Sequence, residues 1–224
     1  MTNITPKTVN ELLNKCDSIN GLSFLQLSNL LNFKIPILPI HRKGWLGKAM
    51  EIILGTDAGN QSLPDFQHLN IELKTIPVNL RYYPCESTFI THIPLGSVHQ
   101  QSWLNSQCYA KLKCILWIPV EGDITIPFIQ RRIGKAFLWT PTVEQELVLA
   151  NDWQELTNMI SMGYLDEIHA GIGEYLQIRP KAANSKSLCH AFDRNGNKTL
   201  TMPRGFYLRA LFTKTLLRTR SYEL

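Results

Sequence analysis

Apolar positions recur at helical spacing through the first quarter of the chain. Residues 8–11 (TVNE) and 23–26 (SFLQ) have the residue types of helix capping boxes, and apolar residues follow each of them at helical spacing. Residues 44–54 repeat this pattern after a loop that contains Pro39, and Gly55 is a typical helix stop. The chain is therefore predicted to open with three helices.

Strand patterns begin further along. Residues 70–76 alternate between two faces, and Pro77 is expected to end this strand. Asn195 and Gly196 are typical of a hairpin turn. Further strands are predicted at residues 87–93, 114–120, 174–179 and 198–202, and further helices at residues 103–113, 143–162 and 206–217. The order is mixed α and β, without regular βαβ units.

The composition is that of a globular protein. The chain has 224 residues, of which 44% are hydrophobic and 18% charged, and its mean hydropathy is -0.10. These values exclude a disordered chain, a collagen and a membrane bundle. The sequence has no apolar run of the ~18 residues that cross a bilayer, and its start lacks the apolar segment of a signal peptide. We expect a cytoplasmic protein that does not enter a membrane.

Cysteine and histidine are not arranged as metal ligands. The five cysteines are widely spaced without a CxxC pair, and the six histidines have no ligand-like spacing. A disulfide framework and a zinc ribbon are therefore not expected. Any bound metal should be held by oxygen atoms.

The positive charge is concentrated near the end of the chain. The net charge is +5, but residues 169–224 carry +7 and residues 141–170 contain six acidic residues and no Lys or Arg. This asymmetry indicates a surface that faces a polyanion. A solvated basic surface without a partner explains the charge equally well.

Asp65, Glu72 and Lys74 form the cluster with the clearest chemical meaning. Because a strand has a period of two, Glu72 and Lys74 share a face, and Asp65 enters from the preceding turn. Two carboxylates suit Mg²⁺, and a neighbouring lysine can orient an attacking water, which together predict phosphodiester hydrolysis. On spacing alone, an amphipathic strand with both charges in solvent is the commoner structure. The apolar flanks favour an interior position, where charges are paired or bind metal.

Several longer blocks make the sequence recognisable, and it resembles the MutH family of DNA mismatch-repair endonucleases. The resemblance covers most of the chain. Its blocks are residues 43–47 (KGWLG), 51–55 (EIILG), 71–78 (IELKTIPV), 115–122 (ILWIPVEG), 130–132 (QRR), 174–184 (EYLQIRPKAAN) and 203–208 (PRGFYL).

The resemblance implies a restriction-endonuclease-like fold of mixed α/β class, with two lobes around a DNA-binding cleft. Residues 1–224 would form one domain, in which an N-terminal lobe (about 1–140) carries the metal site and a basic C-terminal lobe (about 165–224) reads DNA. The implied activity is Mg²⁺-dependent nicking of the unmethylated strand at hemimethylated GATC sites, with Mn²⁺ as a substitute metal. The implied partners are double-stranded DNA and a MutL-type ATPase activator, and the chain is expected to be a monomer.

The resemblance also implies roles for individual residues in catalysis. Asp65 and Glu72 match the metal ligands, to which Leu73 adds its backbone carbonyl, and Lys74 matches the catalytic lysine. Two further positions match an additional catalytic and metal-binding carboxylate, Glu51, and a basic catalytic residue of the cleft, Lys111. From spacing alone, Glu51 would be an exposed partner of a lysine one turn away, and Lys111 an ordinary charge on a helix surface.

Six positions match DNA-binding residues of the family. They are Lys43, Phe89, Arg179, Pro180, Lys181 and Tyr207. Arg179 suits recognition of guanine, and the aromatic residues Phe89 and Tyr207 match positions that sense adenine methylation. Without the resemblance, these would be a solvated arginine after a strand and two core aromatic residues.

The sequence departs from the family pattern at residues 79–85 and 96–110. Neither segment touches the Asp65, Glu72 and Lys74 positions. Two alternatives to a mismatch-repair nickase remain: a GATC-specific restriction endonuclease that cuts both strands, and a basic nucleic-acid-binding protein without catalysis.

Overall fold

The computed structural model describes residues 4–57, 63–182, 184 and 186–221. The α-helices in this part of the chain are Val9–Ile19 (α1), Phe24–Leu31 (α2), Pro39–Leu54 (α3), Gln107–Leu112 (α4), Val143–Ser161 (α5) and Ala210–Ser221 (α6). The strands are Glu72–Val78 (β1), Thr88–His92 (β2), Ile115–Glu121 (β3), Phe137–Trp139 (β4), Leu176–Pro180 (β5), Cys189–Phe192 (β6), Lys198–Thr201 (β7) and Arg204–Leu208 (β8). The predicted mixed α/β class is confirmed.

The chain divides into two compact units that are not contiguous in sequence. The first unit is Met1–Glu86 with Lys113–Thr140, and the second is Ser87–Leu112 with Pro141–Leu224. Residues 87–112, which the sequence analysis assigned to the N-terminal lobe, therefore belong to the second unit. The chain leaves the first unit after β1 and returns to it as β3.

The first unit packs α1, α2 and α3 against a three-stranded sheet. β1 pairs with β3 in parallel, and β4 pairs with the other edge of β3 antiparallel. Ser23 and Gln26 form the predicted capping box of α2, whereas at α1 only Thr8 caps the helix and Glu11 accepts from Lys7 N instead. These caps fix where the first two helices begin.

The third helix begins earlier than predicted. The sequence placed Pro39 in a loop, but α3 starts at this proline and ends at Leu54, and Gly55 follows it with a φ of +76°. Proline is favoured in the first helical turn because its missing N–H has no partner there. The helix packs against β1.

Pro77 does not end β1 as predicted. The strand continues to Val78, opposite Glu121 of β3. Glu72 N donates to Cys114 O, so Glu72 and every second residue after it along β1 form their backbone hydrogen bonds with β3. Pro77 is one of the residues in between, and its backbone faces the edge of the sheet away from β3. No ladder hydrogen bond is lost there, which is why the strand tolerates a proline.

The second unit is built on the antiparallel sheet β2–β8–β5 and on α5. The predicted helix at residues 206–217 is wrong at its start, because β8 runs to Leu208 and α6 begins at Ala210. The predicted hairpin is present as β6 and β7, with Gly196 at φ +77°. No helix in the described part of the chain is long and apolar enough to cross a membrane.

Candidate active site

The carboxylate of Glu72 is buried at the start of β1. This residue is 1% exposed, and its Oε1 lies 2.5 Å from Lys74 Nζ. The lysine side chain is 16% exposed, so its ammonium lies at the margin of the interior. The solvated strand that the spacing alone favoured is excluded, since a buried carboxylate requires a partner charge.

Asp65 joins this pair from the preceding turn. Its Oδ2 accepts a hydrogen bond of 2.9 Å from the backbone N–H of Leu73. The N–H and C=O of one strand residue point to the same side, so the Leu73 carbonyl also points away from β3, toward the side of Asp65. The structure therefore brings Asp65, the Leu73 backbone and the Glu72–Lys74 pair together at the free edge of the sheet.

This donor set fits Mg²⁺ in its chemistry. Two carboxylates and one carbonyl are hard oxygen ligands, and Mg²⁺ keeps several waters besides. In the described part of the chain, no three His, Cys, Asp or Glu side chains gather as a metal cluster. A site with two carboxylates does not require such a cluster.

Glu51, the additional predicted carboxylate, is engaged elsewhere. It lies on α3 and forms an ion pair of 2.9 Å with Lys48, three residues earlier. Its side chain is 34% exposed. The role of Glu51 as a metal ligand stays a prediction.

The roles of two predicted basic residues, Lys111 and Lys43, stay predictions, although the structure locates both in helices. Lys111 lies half-buried in the last turn of α4, in the second unit. Lys43 lies within α3 in the first unit, and its side chain is outside the described part of the structure.

Three of the predicted DNA-reading residues, Phe89, Arg179 and Tyr207, share one face of the second unit's sheet. Phe89 on β2 is paired with Tyr207 on β8. On β5, Arg179 lies two residues beyond the residue that pairs with Tyr207, and it is therefore on the same face. Phe206 and Leu208, at alternate positions on β8, are buried on the opposite face. We call the face that carries Phe89, His92, Arg179, Gly205 and Tyr207 the outer face.

Phe89 is the centre of a cluster on the outer face. Its ring centroid lies 5.3 Å from that of Tyr207, and Lys181 Nζ lies 4.6 Å from the Phe89 centroid. An ammonium over an aromatic ring is attracted to its negative face. Arg179 and Pro180 are exposed at the end of β5, immediately before Lys181. The structure thus gathers two of the predicted residues, Tyr207 and Lys181, around the ring of a third, Phe89.

The sequence analysis missed His92, whose ring centroid lies 5.1 Å from that of Phe89. Burial, and then the Lys181 ammonium, lower the pKa of His92. Strand alternation from Phe89 would place His92 on the other face. A β-bulge between Phe89 and Thr91 brings His92 to the same face as Phe89. No residue type in this segment predicts the bulge.

Comparison with known proteins identifies the family of the chain. A family model described as "DNA mismatch repair enzyme MutH" matches residues 54–152, which include β1 and β3. The DNA mismatch repair protein MutH of Haemophilus influenzae is 44% identical over 212 residues, covering 95% of both chains. The proteins of the same name from Pasteurella multocida and Vibrio vulnificus are each 45% identical, over 215 and 213 residues. They cover 96% and 95% of this chain, and 97% and 94% of their own.

By its fold and these similarities, the molecule is a mixed α/β DNA mismatch repair enzyme. The chain belongs to the MutH family. The resemblance in the sequence analysis is confirmed.

Proposed function

We propose that this protein is a Mg²⁺-dependent endonuclease that nicks the unmethylated strand of DNA at hemimethylated GATC sites during mismatch repair. The observation that carries this proposal is the buried Glu72–Lys74 pair with Asp65 bound to the intervening backbone. Charges are rarely left in a protein interior unless they are paired or bind a ligand, and clusters of them are typical of functional sites.

In this proposal, Asp65, Glu72 and the Leu73 carbonyl hold the metal. A bound Mg²⁺ would neutralise the phosphodiester and offset the negative charge that develops during hydrolysis. Lys74 is a cation fixed by Glu72, so its ammonium can donate a hydrogen bond to the attacking water or to a phosphate oxygen. Glu72 thus orients the lysine as well as binding metal. Glu51 and Lys111 are proposed to assist this site.

The outer face of the second unit is proposed to read the DNA. The exposed guanidinium of Arg179 can bind guanine O6 and N7 with two hydrogen bonds, which distinguishes G from other bases. Phe89 and Tyr207 offer an aromatic edge that an adenine methyl group would meet. Lys43, Pro180 and Lys181 would position the duplex.

The rest of the proposal follows from the family. The fold would be restriction-endonuclease-like with two lobes around a DNA cleft, and a MutL-type ATPase would activate nicking. The relatives are named as DNA mismatch repair proteins, which supports this setting over a restriction enzyme.

Substitution of Asp65 tests the metal site. We expect Asp65→Asn to lower the nicking rate at least about 100-fold, because a catalytic metal supplies several kcal/mol of transition-state stabilisation. Binding of the same duplex, measured by fluorescence anisotropy without metal, should change little. Asp17→Asn, at an exposed position of α1, is the matched control.

The same assay separates the alternatives. Nicking that persists in Asp65→Asn would remove this residue from the site. Binding without cleavage by the unsubstituted protein, with Mg²⁺ or Mn²⁺ and with the activator, would support the non-catalytic alternative. Cleavage of both strands without an activator would support a restriction endonuclease.

A further inference from the structure

The outer face of the β2–β8–β5 sheet has a gap at Gly205. This glycine lies on the central strand, paired with His92 on one side and Arg179 on the other. The strand period of two places Gly205 on the same face as Tyr207. Any other residue would project a side chain from the middle of this face.

The Phe89 ring occupies the gap. A Cβ built on Gly205 would lie 2.6 Å from Phe89 Cε2, 3.2 Å from Phe89 Cδ2 and 3.0 Å from the Thr91 carbonyl oxygen. Carbon atoms pack at about 3.5–4.0 Å, so a methyl group at this position would displace the ring. Gly205 is not among the residues with positive φ, so backbone conformation does not require glycine here. The requirement is space for the ring.

Three neighbours hold the ring over Gly205. Tyr207 and His92 meet it at interplanar angles of 66°, and the Lys181 ammonium lies over it. A shift of the ring that clears a methyl group would alter these contacts together. The absence of a side chain at residue 205 therefore determines where the Phe89 edge lies.

We propose that Gly205 is a specificity-determining positioning residue, which seats the Phe89 ring between Tyr207 and Lys181 so that the ring edge can detect an adenine methyl group. This inference rests on the proposed function, in which Phe89 senses methylation. Gly205 itself touches no base in this proposal and acts through Phe89.

The test is the methylation ratio, defined as the nicking rate on a hemimethylated GATC duplex divided by that on the fully methylated duplex. We expect Gly205→Ala to lower this ratio about tenfold, since an apolar contact discriminates one substrate methyl group by about tenfold or more and a displaced ring would lose that contact. The corresponding ratio of binding affinities without metal should fall in the same direction. Gly96→Ala is the control, because its Cβ would make only an ordinary contact of 3.8 Å, and its ratio should be unchanged.

A double substitution separates positioning from general damage. In a Phe89→Ala background, Gly205→Ala should cause no further change in the methylation ratio, because the ring through which it acts is gone. An equal further loss in that background would overturn the inference. So would an unchanged ratio in Gly205→Ala when Phe89→Ala lowers it.

Failure of the proposed function gives a different result. An unchanged ratio in Phe89→Ala alone would mean that this ring does not sense methylation, so the proposed role of Phe89 and the inference about Gly205 would fail together, while nicking itself would still be tested by Asp65→Asn. If thermal unfolding shows that Gly205→Ala does not fold, His92→Ala replaces it, because it removes one contact to the ring without crowding. We then expect a lower ratio, and an unchanged ratio overturns the inference.

Discussion

At the scale of single residues, the Glu72–Lys74 pair matters both for the stability of the fold and for the proposed catalysis. Glu72 is 1% exposed, and the ammonium of Lys74 is the positive charge that the structure places against it. A buried carboxylate is tolerated only while a cation partners it, and removing one member of a buried ion pair is strongly destabilising. This dependence allows the pair to be tested without DNA.

We expect Lys74→Met to lower the free energy of unfolding by about 3 kcal/mol in metal-free buffer, because it leaves a buried carboxylate without its ammonium. Urea unfolding measures this directly. Lys48→Met, at the exposed ion pair with Glu51, is the control and should change stability by less than about 1 kcal/mol. Equal stability of the two variants would argue against a buried pair.

His92 predicts a pH dependence of stability. Its pKa is lower in the folded state, so below about pH 6.5 the unfolded chain binds more protons and stability falls with falling pH. Above that pH the contribution is fully present. We expect His92→Gln to show a smaller drop in melting temperature between pH 7 and pH 5 than the unsubstituted protein. His99→Gln, an exposed histidine of the same unit, should keep the full drop.

At the scale of elements, Asp152 of α5 fixes the entry into β5. Its buried carboxylate accepts hydrogen bonds from the backbone N–H groups of Glu174, Tyr175 and Leu176, at 2.8, 2.6 and 2.8 Å. Arg209 binds the carbonyls of Gly173 and Ala170 in the same segment. The strand that ends in the predicted base-reading loop is thus anchored at its start by one side chain.

We expect Asp152→Ala to lower the free energy of unfolding by about 3 kcal/mol, because three backbone N–H groups, one of them buried, lose a charged acceptor. Glu155→Ala, which removes an exposed carboxylate from the same helix, should change it by less than about 0.5 kcal/mol. Thermal unfolding with both variants makes the comparison. A similar small effect for both would show that these hydrogen bonds do not matter for stability.

The sequence was informative about elements where the signal is local. Ser23 and Gln26 predicted a capping box, and Asn195 with Gly196 predicted a hairpin, since both depend on neighbours within a few residues. The end of β1 and the start of α6 were wrong because they depend on distant partners. Pro77 is tolerated only at a free edge, and β8 forms because β2 and β5 flank it. The short strand β4 was missed for the same reason.

The candidate site was predictable in part. The period of a strand placed Glu72 and Lys74 side by side, and the structure agrees. The hydrogen bond from Leu73 N to Asp65 could not be predicted, because the turn between them has no fixed geometry. His92 and Gly205 were missed because their importance depends on the bulge in β2 and on strand pairing.

At the scale of the whole molecule, the two units carry similar charge. The first unit has 12 Lys and Arg against 9 Asp and Glu, and the second has 11 against 9. The excess of residues 169–224 is balanced in the second unit by the acidic residues of 141–170. If the protein binds DNA as proposed, the attraction would come from local faces with residues such as Arg179 and Lys181, and not from the net charge of one unit.

Strand-resolved cleavage tests the proposed function of the whole molecule most directly. The substrate is a duplex with one GATC site, methylated on one strand, with a different label on each strand. It is incubated with the protein, Mg²⁺ and a MutL-type ATPase. We predict one product, from cleavage of the unmethylated strand at GATC, which disappears when Mg²⁺ is removed by a chelator. Cleavage of both strands, cleavage of the methylated strand, or no cleavage under these conditions would contradict the proposal.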